Sequence, residues 1–236
     1  MLRYYNIAGL TVAMDSFGRT ELQAEAYLCE SCHTPDIVIT SYREIMQERA
    51  PSLSLDDAEY LGTGAGFYKE LLRFDGFRLH ASAVVVDGKA YLFSAESGTG
   101  KSTHTAMWLK QFGPRAFLLN DDKPALRRID GNWYAFGTPW SGKNDISVNT
   151  GVLLGGIAML ERGETNTIQP FTGKDAIFEI FVQTNRPKAA QYRVKLLELL
   201  DSLMRQVPVW KLKCNMEPEA AIVAYEAMSG RKFEGI

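Results

Sequence analysis

Residues 90–112, "AYLFSAESGTGKSTHTAMWLKQF", limit what this chain can become more than any other stretch. An aromatic and apolar run reads as a strand. It passes straight into a loop with two glycines, and the loop opens a helical pattern that stops at Gly113-Pro114. A strand feeding a helix through such a loop is half of a βα unit, so the spacing predicts an α/β domain with helices laid on a sheet. The loop departs from the pattern G-x-x-x-x-G-K-[ST] at one position, where Ala95 replaces the first glycine. In such a loop Gly98 and Gly100 turn successive backbone N–H groups inward, and the helix N-terminus completes an anion cradle. Lys101 would reach outer phosphates and Ser102 would offer its hydroxyl to a metal ion. Ala95 is compatible with that role if its φ stays negative. The plainer alternative is a Gly-rich turn that holds nothing.

The flanking segments support a sheet. Asp87-Gly88 and Asp130-Gly131 each separate two strand-like runs, and Asp-Gly suits a type I′ hairpin because both central residues take positive φ. "RAFLLNDD" reads as a buried strand ending in Asp121 and Asp122. One carboxylate can take Mg²⁺ and the other can accept a proton from a hydroxyl, each raising the other's pKa without a metal; the alternative is a turn cap. "VLLGGIAMLERG" is a further apolar strand with Arg162 near its end, and Lys143 is placed likewise at a strand end. The C-terminal third reads as mostly helical, with a strand at "VPVWKLKC". Ser54 is a candidate N-cap for a helix to Phe74, although Gly62, Gly64 and Gly66 weaken it. Residues 1–53 read as a small β-rich region, including one strand in "NIAGLTVAM", and residues 54–236 as the main domain.

Composition excludes several classes. The 236 residues carry 26 Lys plus Arg against 28 Asp plus Glu, leaving no basic field for nucleic acid and no polybasic membrane signal. No apolar run is long enough to span a bilayer. Three cysteines make no disulfide framework, which predicts a reduced, cytoplasmic protein. "CESCH", with Cys29, Cys32 and His33, matches haem, zinc and redox patterns, but no export signal, ligand set or following helix supports them; we read it as a chance pair in a strand-turn segment. His104, on the first turn of the loop helix, reads as a packing or solvent-facing residue. His80, in "LHASA", reads first as a half-buried strand histidine.

"LHASAVVVDGKAYLFSAESGTGKST" followed by "LNDD" resembles the C-terminal kinase domain of HPr kinase/phosphorylase and the nucleotide-binding core of ATP-dependent phosphoenolpyruvate carboxykinase. The small HPr-kinase-like proteins, including serine kinases of lasso-peptide clusters, fit the length best, and "GTPWSGK" is similar to their sequences. The resemblance spans roughly residues 78–163. It implies a P-loop domain of the HPr kinase/phosphoenolpyruvate carboxykinase type on a mixed sheet, with a β-rich N-terminal region and a helical C-terminal part. It implies ATP and Mg²⁺ as cofactors, with ATP bound by Ser97, Gly98, Thr99, Gly100, Lys101, Ser102 and Thr103. Asp121 would be the base. His80 would orient it or join the metal shell, and Ser102 and Asp122 would hold Mg²⁺. Lys143 and Arg162 are candidates, on charge and position, for stabilising the transferred phosphoryl group.

The expected activity is transfer of a phosphoryl group from ATP to a hydroxyl, such as a serine of a peptide, a protein or the free amino acid. Carboxykinase activity is not expected, because a chain this short lacks the large N-terminal domain of that family. A nucleotide-gated binding or chaperone protein without phosphoryl transfer is the rival class, and reversal by phosphate a third reading. Nucleic acid and membrane are not expected as partners, and homo-oligomeric assembly is left open.

Overall fold

The computed structural model describes residues 2–31, 34–40 and 43–235. The N-terminal part is a three-stranded sheet of β1 (Arg3–Ile7), β2 (Leu10–Met14) and β3 (Ile37–Ile39), with β1 antiparallel and β3 parallel to β2. The expected single strand in "NIAGLTVAM" is therefore two strands. Ala8 (φ 53°) and Gly9 (φ 72°) make the turn between them, and alanine gives little warning of a positive φ. The segment also contains two helices that its weak alternation did not reveal, α1 (Gly18–Ala24) and α2 (Arg43–Arg49). Cys29 is disulfide-bonded, a departure from the expected reduced cysteines; Cys32 and His33, the rest of the "CESCH" reading, lie outside the described residues.

Helix α3 (Leu55–Leu71) follows, and the Ser54 hydroxyl accepts the Asp57 N–H at 3.0 Å as its N-cap. Its glycines do not break it. Gly64 is there for space, since a Cβ would meet Trp140 Cδ1 at 2.9 Å. One face of α3 packs Tyr60, Phe67, Tyr68 and Leu71 into the same core as Tyr5, Ile7, Val12 and Met14 of the small sheet.

The main sheet has the strand order β4-β8-β9-β10-β6-β5-β7, with β12 on β10 and β11 on β12. Its strands are β4 (Gly76–Arg78), β5 (Ala81–Val86), β6 (Lys89–Ser94), β7 (Ala116–Asn120), β8 (Ala125–Ile129), β9 (Asn132–Phe136), β10 (Gly151–Arg162), β11 (Thr167–Pro170) and β12 (Val209–Cys214). The sheet is mixed: β10 runs parallel to β6 and β12 but antiparallel to β9. Both Asp-Gly hairpins form, with φ of 51° and 75° at Asp87 and Gly88, and 48° and 83° at Asp130 and Gly131.

Side chains alternate between the two faces of the sheet. Ala83, Val85, Leu92 and Ile157 point into one core, which Ile180 of α5 (Gly173–Val182) and Leu196 and Leu200 of α6 (Ala190–Gln206) complete. Val84, Phe93 and Ala158 point into the other, against Met107, Trp108 and Phe112 of α4 (Lys101–Phe112) and Tyr225 of α7 (Glu219–Ser229). The C-terminal third is thus helical apart from β12 and the unexpected β11.

Trp108 is the centre of the second core. It is fully buried, with ring centroids 5.2 Å from Tyr91, 5.3 Å from Phe93, 5.5 Å from Phe112 and 5.8 Å from Tyr225. Trp108→Ala is expected to lower unfolding stability by about 3–5 kcal/mol, read from denaturant titration, because the vacated volume cannot close fully.

Candidate functional site

Strand β6 ends at Ser94, the loop runs over residues 95–100, and α4 starts at Lys101. Gly98 (φ 81°) and Gly100 (φ 121°) hold conformations that side chains oppose, yet a Cβ on either would meet nothing within 4 Å. Glycine is therefore needed here for backbone shape, not for room. Ala95 keeps a negative φ and tucks its methyl into the second core, so it costs the loop nothing. No side chain caps α4, so the N–H groups of its first turn are open to an anion. The Lys101 ammonium is drawn over the loop and donates to Ala95 O at 3.0 Å and Glu96 O at 3.2 Å. Burial lowers its pKa, against the opposing pull of Asp122 and Asp121.

Asp121 and Asp122 follow the end of β7. Both line, with Ser97, Ser102 and Lys143, a cleft of about 620 Å³. Asp121 is 7% exposed. One carboxylate oxygen accepts the Ser82 hydroxyl at 2.8 Å and the other accepts the Asn144 amide at 3.0 Å. Ser82 also lies 2.9 Å from the Thr105 hydroxyl, which bonds the main chain of Lys101 and Ser102. The carboxylate and the first turn of α4, which the glycine loop feeds, thus share one hydrogen-bonded network. Asp122 has different partners: His80 Nε2 at 3.3 Å and the ammonium of Lys123. Burial opposes its ionisation, but His80 and Lys123 outweigh it and hold the carboxyl well below the usual range. The expectation that the two carboxylates raise each other's pKa is corrected for Asp122. The His80 ring is anchored from behind by Gln183 at 3.0 Å.

The other anticipated residues fall around this centre. His80 meets Asp122 rather than Asp121. Lys143 is exposed and sits on a turn between β9 and β10, not at a strand end, because the "SGKND" segment leaves the sheet entirely. Arg162 does end β10, but its guanidinium donates to Thr99 O at 3.1 Å and Gly98 O at 2.5 Å, bracing the loop from outside. Thr103 faces a separate groove of about 420 Å³ with Gly98, Gly100, Met107, Asn215 and Met216. Among the described residues no three His, Cys, Asp or Glu side chains cluster as a metal site. One hydroxyl, Ser102, and one ionised carboxylate, Asp122, on the cleft that the glycine loop borders are oxygen donors that could hold a hard cation.

Sequence reading missed Ser82, Thr105, Asn144 and Gln183. Ser82 was visible only as part of "LHASA", and Gln183 carried no signal, since its contact with His80 spans 103 positions. No family model matches the chain, and no curated protein matches it. Among solved structures it is similar to the HPr(Ser) kinase/phosphatase from Coxiella burnetii, at 13% identity and a TM-score of 0.36, over 65% of this chain and 95% of that one. No helix among the described residues is long and apolar enough to cross a membrane.

His104 belongs to the packing rather than the chemistry. It is 1% exposed, accepts the Trp108 indole N–H at 3.1 Å and lies 3.8 Å from Cys214 Sγ. Burial pushes its pKa down to about 4, whereas the unfolded chain titrates near 6.5. The unfolded state binds the proton first, so stability is complete above pH 6.5 and falls as pH drops toward 4. The slope from this group approaches about 1.4 kcal/mol per pH unit. His104→Gln is expected to flatten that limb in urea titrations run between pH 4 and 7.

Proposed function

We propose that the chain transfers the γ-phosphoryl group of ATP to a hydroxyl, the acceptor being a serine of a peptide or protein or the free amino acid. The observation that carries this reading is a single cleft that Ser97 and Ser102 of the phosphate loop share with a buried, hydrogen-bonded carboxylate, Asp121. The open backbone at the start of α4 and the Lys101 ammonium, which exchanges its loop carbonyls for phosphate oxygens, hold the triphosphate. The nucleoside is assigned to the groove beside Thr103, where Met107 and Met216 offer apolar surface.

The acceptor hydroxyl enters the cleft from the Lys143 side. Asp121 takes its proton as the hydroxyl oxygen bonds to the γ-phosphorus and the bond to the bridging oxygen of ADP breaks. Ser82 and Asn144 hold Asp121 so that its carboxylate needs no reorientation during the step. Ser102 and Asp122 would hold Mg²⁺, which when bound neutralises phosphate charge. His80 and Lys123 keep Asp122 anionic for that purpose. Lys143, which has no ion-pair partner among the described residues, is assigned to the charge on the transferred group, and Arg162 to the loop that carries it.

Titration calorimetry with ATP and Mg²⁺ tests the reading. Lys101→Ala is expected to abolish binding, and Asp121→Asn to keep binding while lowering turnover on serine-containing acceptors by about 10²-fold or more. Normal turnover by Asp121→Asn would remove the proposed base. Binding without ADP release, whatever hydroxyl acceptor is supplied, would instead favour a nucleotide-gated binding protein.

A further inference from the structure

The stretch between β9 and β10, residues 137–150, is pinned from the N-terminal side of the molecule. Trp140 is 1% exposed, stacks on Phe67 at 5.0 Å and donates its indole N–H to Thr63 of α3 at 3.2 Å. Two positions further on, Gly142 (φ 83°) is gripped at both ends of its peptide. Its N–H donates to the Tyr60 hydroxyl at 3.0 Å, and its carbonyl accepts the Arg19 guanidinium at 2.6 Å. Arg19 lies flat over the Tyr60 ring, 3.8 Å from its centroid. The grip is close to the reacting groups: a Cβ on Gly142 would meet Asp122 Cβ at 2.9 Å. A third tether ties Tyr27 to Ser147 at 2.5 Å. Between these tethers lies Asn144, whose amide reaches Asp121.

We propose that Arg19 is a positioning residue for phosphoryl transfer: through the Gly142 main chain, and with Tyr60 as its platform, it sets residues 141–147 so that Asn144 holds the Asp121 carboxylate. The small N-terminal sheet and its helix α1 are then part of the machinery. Helix α1 is itself indexed to α3, because Asp56 accepts the Arg19 N–H at 2.7 Å, and Gly18 (φ 54°) leaves no room for a side chain against that carboxylate. A guanidinium suits the task because it can stack on an aromatic face and donate in its own plane at once.

The inference rests on the kinase reading for its kinetic part only. Arg19→Ala is expected to lower kcat by roughly 10- to 100-fold, the scale on which small misplacements of reacting groups act, with ATP affinity unchanged. Asn144→Ala should cost a similar factor, and the double variant no more than the worse single one, because both losses are the same loss. Tyr60→Phe, which keeps the ring and removes only the acceptor of the Gly142 N–H, should act in the same direction. Hydrogen exchange of residues 141–147 is read in parallel and should speed up in Arg19→Ala and Tyr60→Phe. Multiplicative losses in the double variant, or wild-type exchange in both single variants, would overturn the clamp. If the wild type turns over no acceptor, the kinase reading fails, and the exchange result alone decides the clamp.

Discussion

A carboxylate taken out of water needs donors, and Asp121 is the buried acid around which this structure is organised. Its two oxygens are satisfied from opposite directions, by Ser82 of strand β5 and by Asn144 of a loop outside the sheet. A carboxyl group at 7% exposure without such partners would cost about 2 kcal/mol or more. Each donor has in turn to be held. Ser82 is locked through Thr105 to α4, the helix that follows the glycine loop, and Asn144 through Gly142 to α1 and α3. One electrostatic demand therefore couples the sheet, the loop helix and the N-terminal part.

The neighbouring carboxylate shows how the same sheet edge supports a second role. Asp122 is more accessible than Asp121 and faces two cationic or potentially cationic partners, His80 and Lys123. These keep it charged despite burial, and a charged, accessible oxygen is what a hard cation requires. Two adjacent residues just past the end of β7 thus separate into a shielded acid and a more accessible one, because they meet different partners: Ser82 and Asn144 for Asp121, His80 and Lys123 for Asp122.

Packing explains why the loop can be open yet defined. Its two glycines stand in free space, where nothing but backbone geometry shapes the apex, and Arg162 braces the Gly98 and Thr99 carbonyls from behind. Within the loop, the Thr99 N–H closes a turn onto Glu96 O at 3.3 Å. Behind the loop, α4 rests through its Trp108 on Tyr91, Phe93 and Tyr225, a rigid footing for the turn.

Local chemistry by itself determined a good part of this protein. Asp-Gly turns, the Ser54 cap, the strand–loop–helix unit and the placement of Asp121 and Asp122 were all legible, because each depends on neighbours within a few positions. Several features were not legible. The Ala8-Gly9 turn hides because alanine ordinarily avoids positive φ, and the helices α1 and α2 are too short to show a period. That Lys143 leaves the sheet, that Arg162 braces the loop and that His80 turns to Asp122 were decided only by the tertiary structure. The reach of Asn144 to Asp121 spans 23 positions and that of Arg19 to Gly142 spans 123. No local propensity encodes such contacts; they exist because a folded core brings distant polar groups together where water cannot serve them instead.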